Sequence, residues 1–366
     1  MQSKNHFLLI DFLKLFAALL IILHHFSSYG QLAEDAKSLL PGLMGFLFDY
    51  GRYAVQIFLV MGGYLAAQSL SSQTNLRNPR ALLKLIFNRY LRLFTPYLVA
   101  LLLTICCAWI ARFWVQDEFV GESETLGQLL AHLFFLQGIL GLDSISAGAW
   151  YVAIDWQLFS ILAILMGLLP NSRSLIWVAT GLAVTSLLYF NRHSEYENYF
   201  IYFIGSYGLG VLAYLAKNQG DAVGSPTVDT IVTCLAQGLF GLIGVVILIS
   251  SLQDLWIRNC LAYFVALALI IWGSRAYKDE KHARFHTAVL TILWGSRRSY
   301  CAFLVHFAFI LLANTIYIAW GMHTHHDGLV ALTLMLVAVV LSWVAANYLY
   351  QLVEIPSRKL KLKLKL

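Results

Sequence analysis

Apolar segments long enough to cross a membrane as helices occupy most of this chain. A transmembrane helix needs roughly 17 to 25 predominantly apolar residues. About ten segments meet that length, at about 7–27, 50–70, 92–112, 150–169, 174–190, 199–216, 230–252, 257–273, 299–320 and 329–352. Only 12% of the residues are charged, whereas about a quarter are charged in a soluble domain. The sequence predicts an all-α integral membrane protein, with about ten transmembrane helices in one domain over residues 1–354.

The charges between the spans predict the orientation of the bundle. Cytoplasmic loops of membrane proteins are enriched in Lys and Arg, so the net charge of +6 requires no nucleic-acid partner. With a cytoplasmic N-terminus, the cytoplasmic side carries Arg77, Arg80, Lys84, Arg89, Arg92, Arg173, Lys217, Arg275, Lys278, Lys281, Arg284, Arg297, Arg298 and the tail 355–366. The other side holds only Lys37, Arg52, Arg112, Arg192 and Arg258. We therefore expect both termini in the cytoplasm, with the basic tail against anionic membrane lipids.

Three further patterns limit the number of spans and the kinds of site. The stretch 126–140 is apolar but short, and an eleventh span would reverse every later loop, so we expect an interfacial or re-entrant segment. All cysteines lie in apolar stretches and are interpreted as packing residues, namely Cys106, Cys107, Cys234, Cys260 and Cys301. The HTHHD stretch at 323–327 lacks a regular helical spacing. We expect no metal site.

The first span carries charges inside a membrane helix, where ionisable groups are costly and often functional. Lys14 and His25 are eleven residues apart, which places them on one helix face and roughly 16 Å apart along the axis. Asp11 lies one turn from Lys14 and can pair with it, whereas His24 points about 100° away from His25. Asp11, Lys14 and His25 thus form a polar stripe along one face of the span. This polar stripe predicts an anion site near Lys14 and a proton-transfer site at His25. A buried Asp11–Lys14 ion pair with a structural histidine is an equally weighted interpretation.

Two other spans begin with ionisable residues. Arg89 and Arg92 share a face in RYLR, a pattern suited to phosphate binding but also typical of an ordinary cytoplasmic flank. Asp155, in WYVAIDWQLF, is predicted at the depth of His25, where its carboxylate could orient the imidazole. The alternative for Asp155 is a contact with lipid headgroups within an aromatic belt.

The last two spans add two weaker candidates. His306 lies in SYCAFLVH, predicted about two turns into the ninth span, and a lone histidine in a helix is more often structural. Glu354 ends the tenth span in VEIP and can pair with a neighbouring arginine. Neither His306 nor Glu354 by itself indicates a particular reaction or ligand.

Six segments in order resemble acyltransferase family three, the membrane-bound sugar O-acyltransferases. They are DFLKLFA with the later His25, VQIFLVMGGY at 55–64, Arg89 with Arg92, Trp150 to Asp155, Ser299 and Tyr300 to His306, and Glu354 to Pro356. The chain departs from the family pattern at Lys14, Gln56, Gly62, Asp155 and Phe303, where Arg, Asp, Ser, Glu and Tyr are usual. The resemblance implies a stand-alone form without an extracytoplasmic hydrolase-like domain.

The resemblance also implies transfer of an acyl group, acetyl by default, from cytoplasmic acyl-CoA to a hydroxyl of a cell-surface or lipid-linked glycan. The expected location is the bacterial inner membrane. In this hypothesis Arg89 and Arg92 hold the donor phosphates, and Lys14 continues that path into the membrane. His25 is the general base or relays the acyl group, and Asp155 orients His25.

Two other classes of function use the same residues differently. A transporter or exporter of an anionic solute would use the Lys14 and arginine path without chemistry. A membrane sensor or scaffold would need Lys14, His25 and Arg89 only for stability. Dependence on an acyl donor distinguishes the enzyme from both alternatives.

Overall fold

The computed structural model of the chain describes residues 7–73, 75–169, 171–217, 226–250, 256–273 and 286–359. Within these ranges the chain is helical, with no β-strand. The tail residues 360–366 and the loop cations Arg275, Lys278, Lys281 and Arg284 lie outside the described residues.

Thirteen helices of eight residues or more follow one another along the described chain. They are α1 Leu8–Phe26, α2 Gly30–Leu39, α3 Pro41–Tyr50, α4 Ala54–Ser71, α5 Pro79–Ala111, α6 Leu126–Leu133, α7 Ala149–Leu168, α8 Ser172–Leu188, α9 Phe200–Lys217, α10 Pro226–Ser250, α11 Trp256–Trp272, α12 His286–Ala319 and α13 Gly328–Leu349. A π-helical turn, Tyr350–Glu354, and a short helix, Ile355–Ser357, come after α13.

The predicted all-α multi-pass membrane fold is confirmed. Nine helical segments of the described chain are long and apolar enough to cross a membrane. Ile257–Trp272 is a shorter apolar helix at the position of the eighth predicted span. The orientation of the bundle in the membrane stays a prediction from loop charge.

Two predicted spans begin much earlier in the structure than hydropathy indicates. α5 begins at Pro79, not near residue 92, and Asn78 caps it by accepting a hydrogen bond from the Arg80 N–H. α12 begins at His286, not near residue 299. Hydropathy detects only the apolar part of a helix, so it misses polar turns at the helix ends. As a correction, Arg89 lies well inside α5, and His306 lies near the middle of α12.

The described chain continues beyond residue 354, where the boundary between the domain and the basic tail stays a prediction. The short helix after the π-helical turn packs against α5, and Ser357 within it is buried. Residues 355–357 therefore pack with the helical bundle.

α9 lies at the centre of one half of the bundle, packed against α4, α8, α10 and α11. Its contact with α4 depends on glycines, as the GGY pattern at 62–64 predicts for close helix packing. A Cβ added at Gly63 would meet the backbone oxygen of Tyr207, and one at Gly210 would meet that of Val60, both at clashing distances. The two helix backbones can approach this closely only because neither residue has a side chain.

α12 lies at the centre of the other half, against α1, α5 and α13. Outside these spans, Asp35 of α2 accepts hydrogen bonds from Tyr317 of α12 and from His326. Burial raises the pKa of Asp35, but the hydrogen bonds outweigh it and hold that pKa below its usual value. Asp327 caps α13 by accepting from the Leu329 and Val330 N–H groups. Residues of the HTHHD stretch thus fasten the α12–α13 connection to α2.

We expect substitution of Gly210 by leucine to destabilise the fold strongly, because the added side chain overlaps the α4 backbone. Overpacking of this kind costs about 1 to 3 kcal/mol or more. Thermal unfolding in detergent micelles, followed by size-exclusion chromatography of the surviving fold, measures the loss. Gly181→Ala on α8 is the matched control, because nothing lies within 4 Å of a Cβ there. Equal melting of the two variants would contradict the packing argument.

Candidate active site

A cavity of about 530 Å³ opens where α4, α7, α9 and α11 begin, with His25 of α1 in its wall. These helix ends face the loops predicted to lie outside the cell. Amide and aromatic side chains contribute much of the lining, among them Gln56, Gln137, Gln157, Tyr53, Trp150 and Phe203. Such a cavity lies within the range of about 300 to 1,000 Å³ typical of small-molecule sites.

The predicted interfacial or re-entrant stretch forms part of this wall. α6 is only eight residues long, and with the turns after it forms a cover segment, residues 125–148. His132 holds this segment together: its Nδ1 donates to the Gln128 carbonyl at 2.8 Å, and its Nε2 accepts from the Ile145 N–H at 3.1 Å. Gln128 in turn donates to the Asp143 carbonyl. The cover segment folds back on itself beside the cavity and does not cross the bundle.

His25 is 8% exposed and reaches the cavity from the end of α1. Its ring stacks on those of Tyr29, at 5.6 Å between centroids, and His306, at 5.1 Å. Its Nδ1 is buried and has no hydrogen-bond partner among the described residues. The Nε2 atom is therefore the nitrogen left to face a bound molecule.

His24 points away from its neighbour, as helical spacing predicts. Its Nδ1 donates to the Leu47 carbonyl of α3 at 3.0 Å. His24 also contributes to the cavity lining, which its position on the helix did not predict. The hydrogen bond to α3 gives it a structural role.

Asp155 binds Arg89 and not His25, which corrects the expected partner of this carboxylate. The Arg89 guanidinium donates to an Asp155 oxygen at 2.7 Å, linking α5 to α7. Arg89 also packs over the Phe159 ring at 5.0 Å. Two residues at the same depth on separate helices do not necessarily meet. The early start of α5 places Arg89 inside the bundle, where it contacts Asp155. The aromatic belt proposed around Asp155 is internal too, since Trp150 stacks on Phe203.

Four cations converge on the opposite side of His25 from the cavity entrance, and we call them the cation cluster: Lys14, Arg89, Arg92 and Arg358. Two of them are neutralised by carboxylates, Arg89 by Asp155 and Arg358 by Glu354 at 2.7 Å. In the described part of the chain, neither Lys14 nor Arg92 forms a hydrogen bond or a close ion pair. Arg92 is exposed. The cluster therefore presents two cations that are free to bind an anion.

Asp11 is near enough to Lys14 to interact with it electrostatically, as their spacing predicts. Asp11 also accepts a hydrogen bond from Ser296, which ties α1 to α12. This contact is one of several that fix the cation-bearing end of α1.

The remaining candidates form structural contacts around the cluster. Ser299 Oγ donates to the Ser296 carbonyl of its own helix. Tyr300 OH donates to the Leu93 carbonyl at 2.9 Å, which fastens α12 to α5 beside Arg92. The pairing of Glu354 with a neighbouring arginine, which the sequence analysis allowed, is present as the contact with Arg358. Tyr300 and Glu354 thus help to position the cations.

Sequence reasoning missed Arg258, which lines the cavity and is 7% exposed. Its guanidinium donates to the Tyr202 hydroxyl and the Asn191 carbonyl, both at 2.8 Å. In the sequence it is an ordinary arginine at a helix start, and its partners are more than fifty positions away. No local pattern could have distinguished it from a charged flank.

Comparison with known proteins identifies a family for this chain. A sequence model of the acyltransferase domain matches residues 7–347, nearly the whole chain. No curated protein and no solved structure matches the chain.

We expect the cover segment to loosen as the pH falls below about 6.5, the ordinary value for histidine. Burial lowers the pKa of His132 more than its hydrogen bond to Gln128 raises it, so the folded segment favours the neutral ring. The stabilisation is complete above the unfolded pKa and declines as the pH falls toward the folded one. Protonation removes the acceptor for the Ile145 N–H. Hydrogen exchange of that amide, corrected for intrinsic rate, should lose protection at pH 5, whereas His132→Phe should show low protection at both pH values.

A double-mutant cycle on Arg89 and Asp155 should show coupling in stability. Asp155→Asn leaves the guanidinium without its carboxylate in a mostly buried position, at a cost of roughly 1 to 3 kcal/mol. Arg89→Gln alone should cost a similar amount, and the double variant should cost less than the sum. Additive effects in detergent unfolding would mean that the pair contributes nothing.

Proposed function

Because the chain belongs to the acyltransferase family, we propose that it moves an acyl group from acyl-CoA at the cation cluster to an acceptor hydroxyl in the cavity. Acetyl is the default acyl group, and the acceptor is a cell-surface or lipid-linked glycan. The observation that carries the proposal is the placement of the unpaired Lys14 and of His25 toward opposite ends of α1, with the unpaired Arg92 of α5 near Lys14.

The free cations of the cluster suit the phosphates of the donor. Arg92 can bind a phosphate with two parallel N–H groups, and Lys14 adds a compact positive charge. This changes the role first expected of Arg89, since its pairing with Asp155 leaves it to position α5 against α7. Arg358, which was absent from the sequence-based hypothesis, lies near Arg92 and is paired with Glu354.

The length of the path matches the shape of the donor. Lys14 and His25 are separated by roughly 16 Å along α1. A pantetheine arm is long enough to run from phosphates near Lys14 to a thioester beside His25. The loop charges support a cytoplasmic donor side and an outer acceptor side. The proposed location is a bacterial inner membrane.

The cavity has the chemistry that a polyhydroxylated acceptor needs. Amide groups such as those of Gln56 and Gln137 can donate to and accept from hydroxyls. Trp150 and Tyr53 offer flat aromatic faces for the C–H side of a sugar ring. A long aliphatic or strongly charged acceptor would use these groups less well.

The reaction needs one base and no redox step. His25 Nε2 takes the proton of the acceptor hydroxyl while the oxygen attacks the thioester carbonyl carbon. The new C–O bond forms, the C–S bond breaks, and the departing thiolate receives the proton from His25. The products are the acylated acceptor and free CoA thiol, with His25 neutral again. A histidine that first carries the acyl group gives the same products.

Labelled acetyl-CoA supplied to inverted membrane vesicles tests the proposal. We expect label in a glycan fraction and a loss of about 10²- to 10⁴-fold in His25→Ala, the usual range for a general base. Arg92→Ala and Lys14→Ala should raise the KM for the donor. His193→Ala, a histidine that does not line the cavity, is the matched control.

Two results would overturn the proposal. Full activity of His25→Ala, with the protein still inserted, would exclude the assigned base. Absence of donor-dependent labelling in wild-type vesicles supplied with glycan acceptors would exclude the acyl transfer proposed here, and uptake of an anionic solute would then favour the transporter.

A further inference from the structure

Two imidazole rings meet beside the cavity, and each has a buried nitrogen without a partner. His25 of α1 and His306 of α12 stack with centroids 5.1 Å apart and an interplanar angle of 24°. On these two rings, the buried atoms without a partner among the described residues are His25 Nδ1 and His306 Nε2. His306 is fully buried, so solvent does not satisfy its nitrogen. Buried polar atoms normally have partners, and two unpartnered atoms on adjoining rings require an explanation.

The tautomer of His306 follows from its other nitrogen. His306 Nδ1 lies 2.7 Å from the Phe303 carbonyl oxygen of its own helix. A carbonyl only accepts, so Nδ1 carries the proton. The neutral ring therefore has its lone pair on Nε2, and that lone pair is an acceptor.

The tautomer of His25 follows from the base role proposed above. A base at Nε2 must carry its ring proton on Nδ1. That N–H is buried, and it gains positive charge when Nε2 takes the acceptor proton. A catalytic histidine normally has an acceptor for this second N–H, which fixes the ring and stabilises the cation.

No carboxylate is available for this purpose in the described residues. Asp155 is committed to Arg89, and His25 forms no ion pair with any described acidic residue. The groups that face its ring are His24, Tyr29 and His306. His24 uses its Nδ1 on the Leu47 carbonyl of α3, and Tyr29 stacks with its flat face.

We propose that His306 is the positioning residue of this site: its Nε2 accepts a hydrogen bond from His25 Nδ1–H as His25 becomes charged. The stacked rings turn toward each other to form the bond, and the proton stays on His25. The proposal rests on the proposed function, because it concerns the same base. It gives a neutral imidazole the place that a carboxylate holds in other histidine-based sites.

Two substitutions of His306 separate this role from packing. His306→Phe keeps a flat ring without an acceptor, and His306→Gln supplies an amide oxygen that can accept from His25. We expect His306→Phe to lower acyl transfer roughly 10- to 100-fold at an unchanged KM for the donor. The acidic limb of its pH profile should move to lower pH, since the charged form of His25 has lost a stabilising contact. His306→Gln should recover part of the rate.

Thr315→Val is the matched control. Thr315 is also buried in α12 and bonds only its own helix, at the Leu311 carbonyl. Its activity and pH profile should equal those of the wild type. Spectra of ¹⁵N-histidine-labelled protein give a second measurement: the His25 Nδ1 resonance should move in His306→Phe and stay in place in Thr315→Val.

The outcomes distinguish this inference from the proposed function. If His25→Ala is inactive while His306→Phe matches Thr315→Val in rate and pH profile, the inference is wrong and the base assignment stands. If His306→Gln is as slow as His306→Phe and the His25 resonance is unmoved, His306 acts only through packing and the inference is again wrong. If the wild type shows no acyl transfer, both proposals fall together.

Discussion

The ion pair between Arg89 and Asp155 sets the arrangement of charge in this bundle. A charge within a membrane helix bundle needs a partner, and this pair joins α5 to α7 inside the membrane-spanning part. With Asp155 occupied, His25 is left without a carboxylate. With Arg89 occupied, Lys14 and Arg92 are the cluster members left free for an anion. This contact therefore leaves Lys14 and Arg92 as the free cations and leaves His25 without a carboxylate partner.

α1 and α12 connect the cation cluster with His25. α1 carries Lys14 and His25, and α12 lies along it. The same helix brings Tyr300 to the α5 backbone beside Arg92 and His306 to the ring of His25. A shift of α12 would therefore disturb the cation cluster and the ring of His25 together.

The half of the bundle that is centred on α9 forms much of the cavity wall. The glycine contact between α4 and α9 brings two backbones close, and it sets the entrance wall that Gln56 and Phe203 line. Gln56 is held there by a hydrogen bond from Ser206 of α9. The cover segment and Arg258 complete that wall from loops and helix starts. Rigid helices position His25, the proposed base, and less regular segments shape the cavity in which we propose that the acceptor binds.

The sequence by itself determined the membrane fold, the polar stripe of α1 and the close packing of small residues on α4. These follow from composition and helical period, which act over a few turns. Helix starts were less well predicted, because polar turns at the N-termini of α5 and α12 carry no hydropathy signal. Only the tertiary structure decided that Asp155 meets Arg89, that Arg258 faces the cavity and that His306 lies on His25. The Arg89–Asp155 contact, for example, joins residues 66 positions apart. Helical periodicity predicts which face of a helix a residue occupies, but it does not predict which other helix packs against that face.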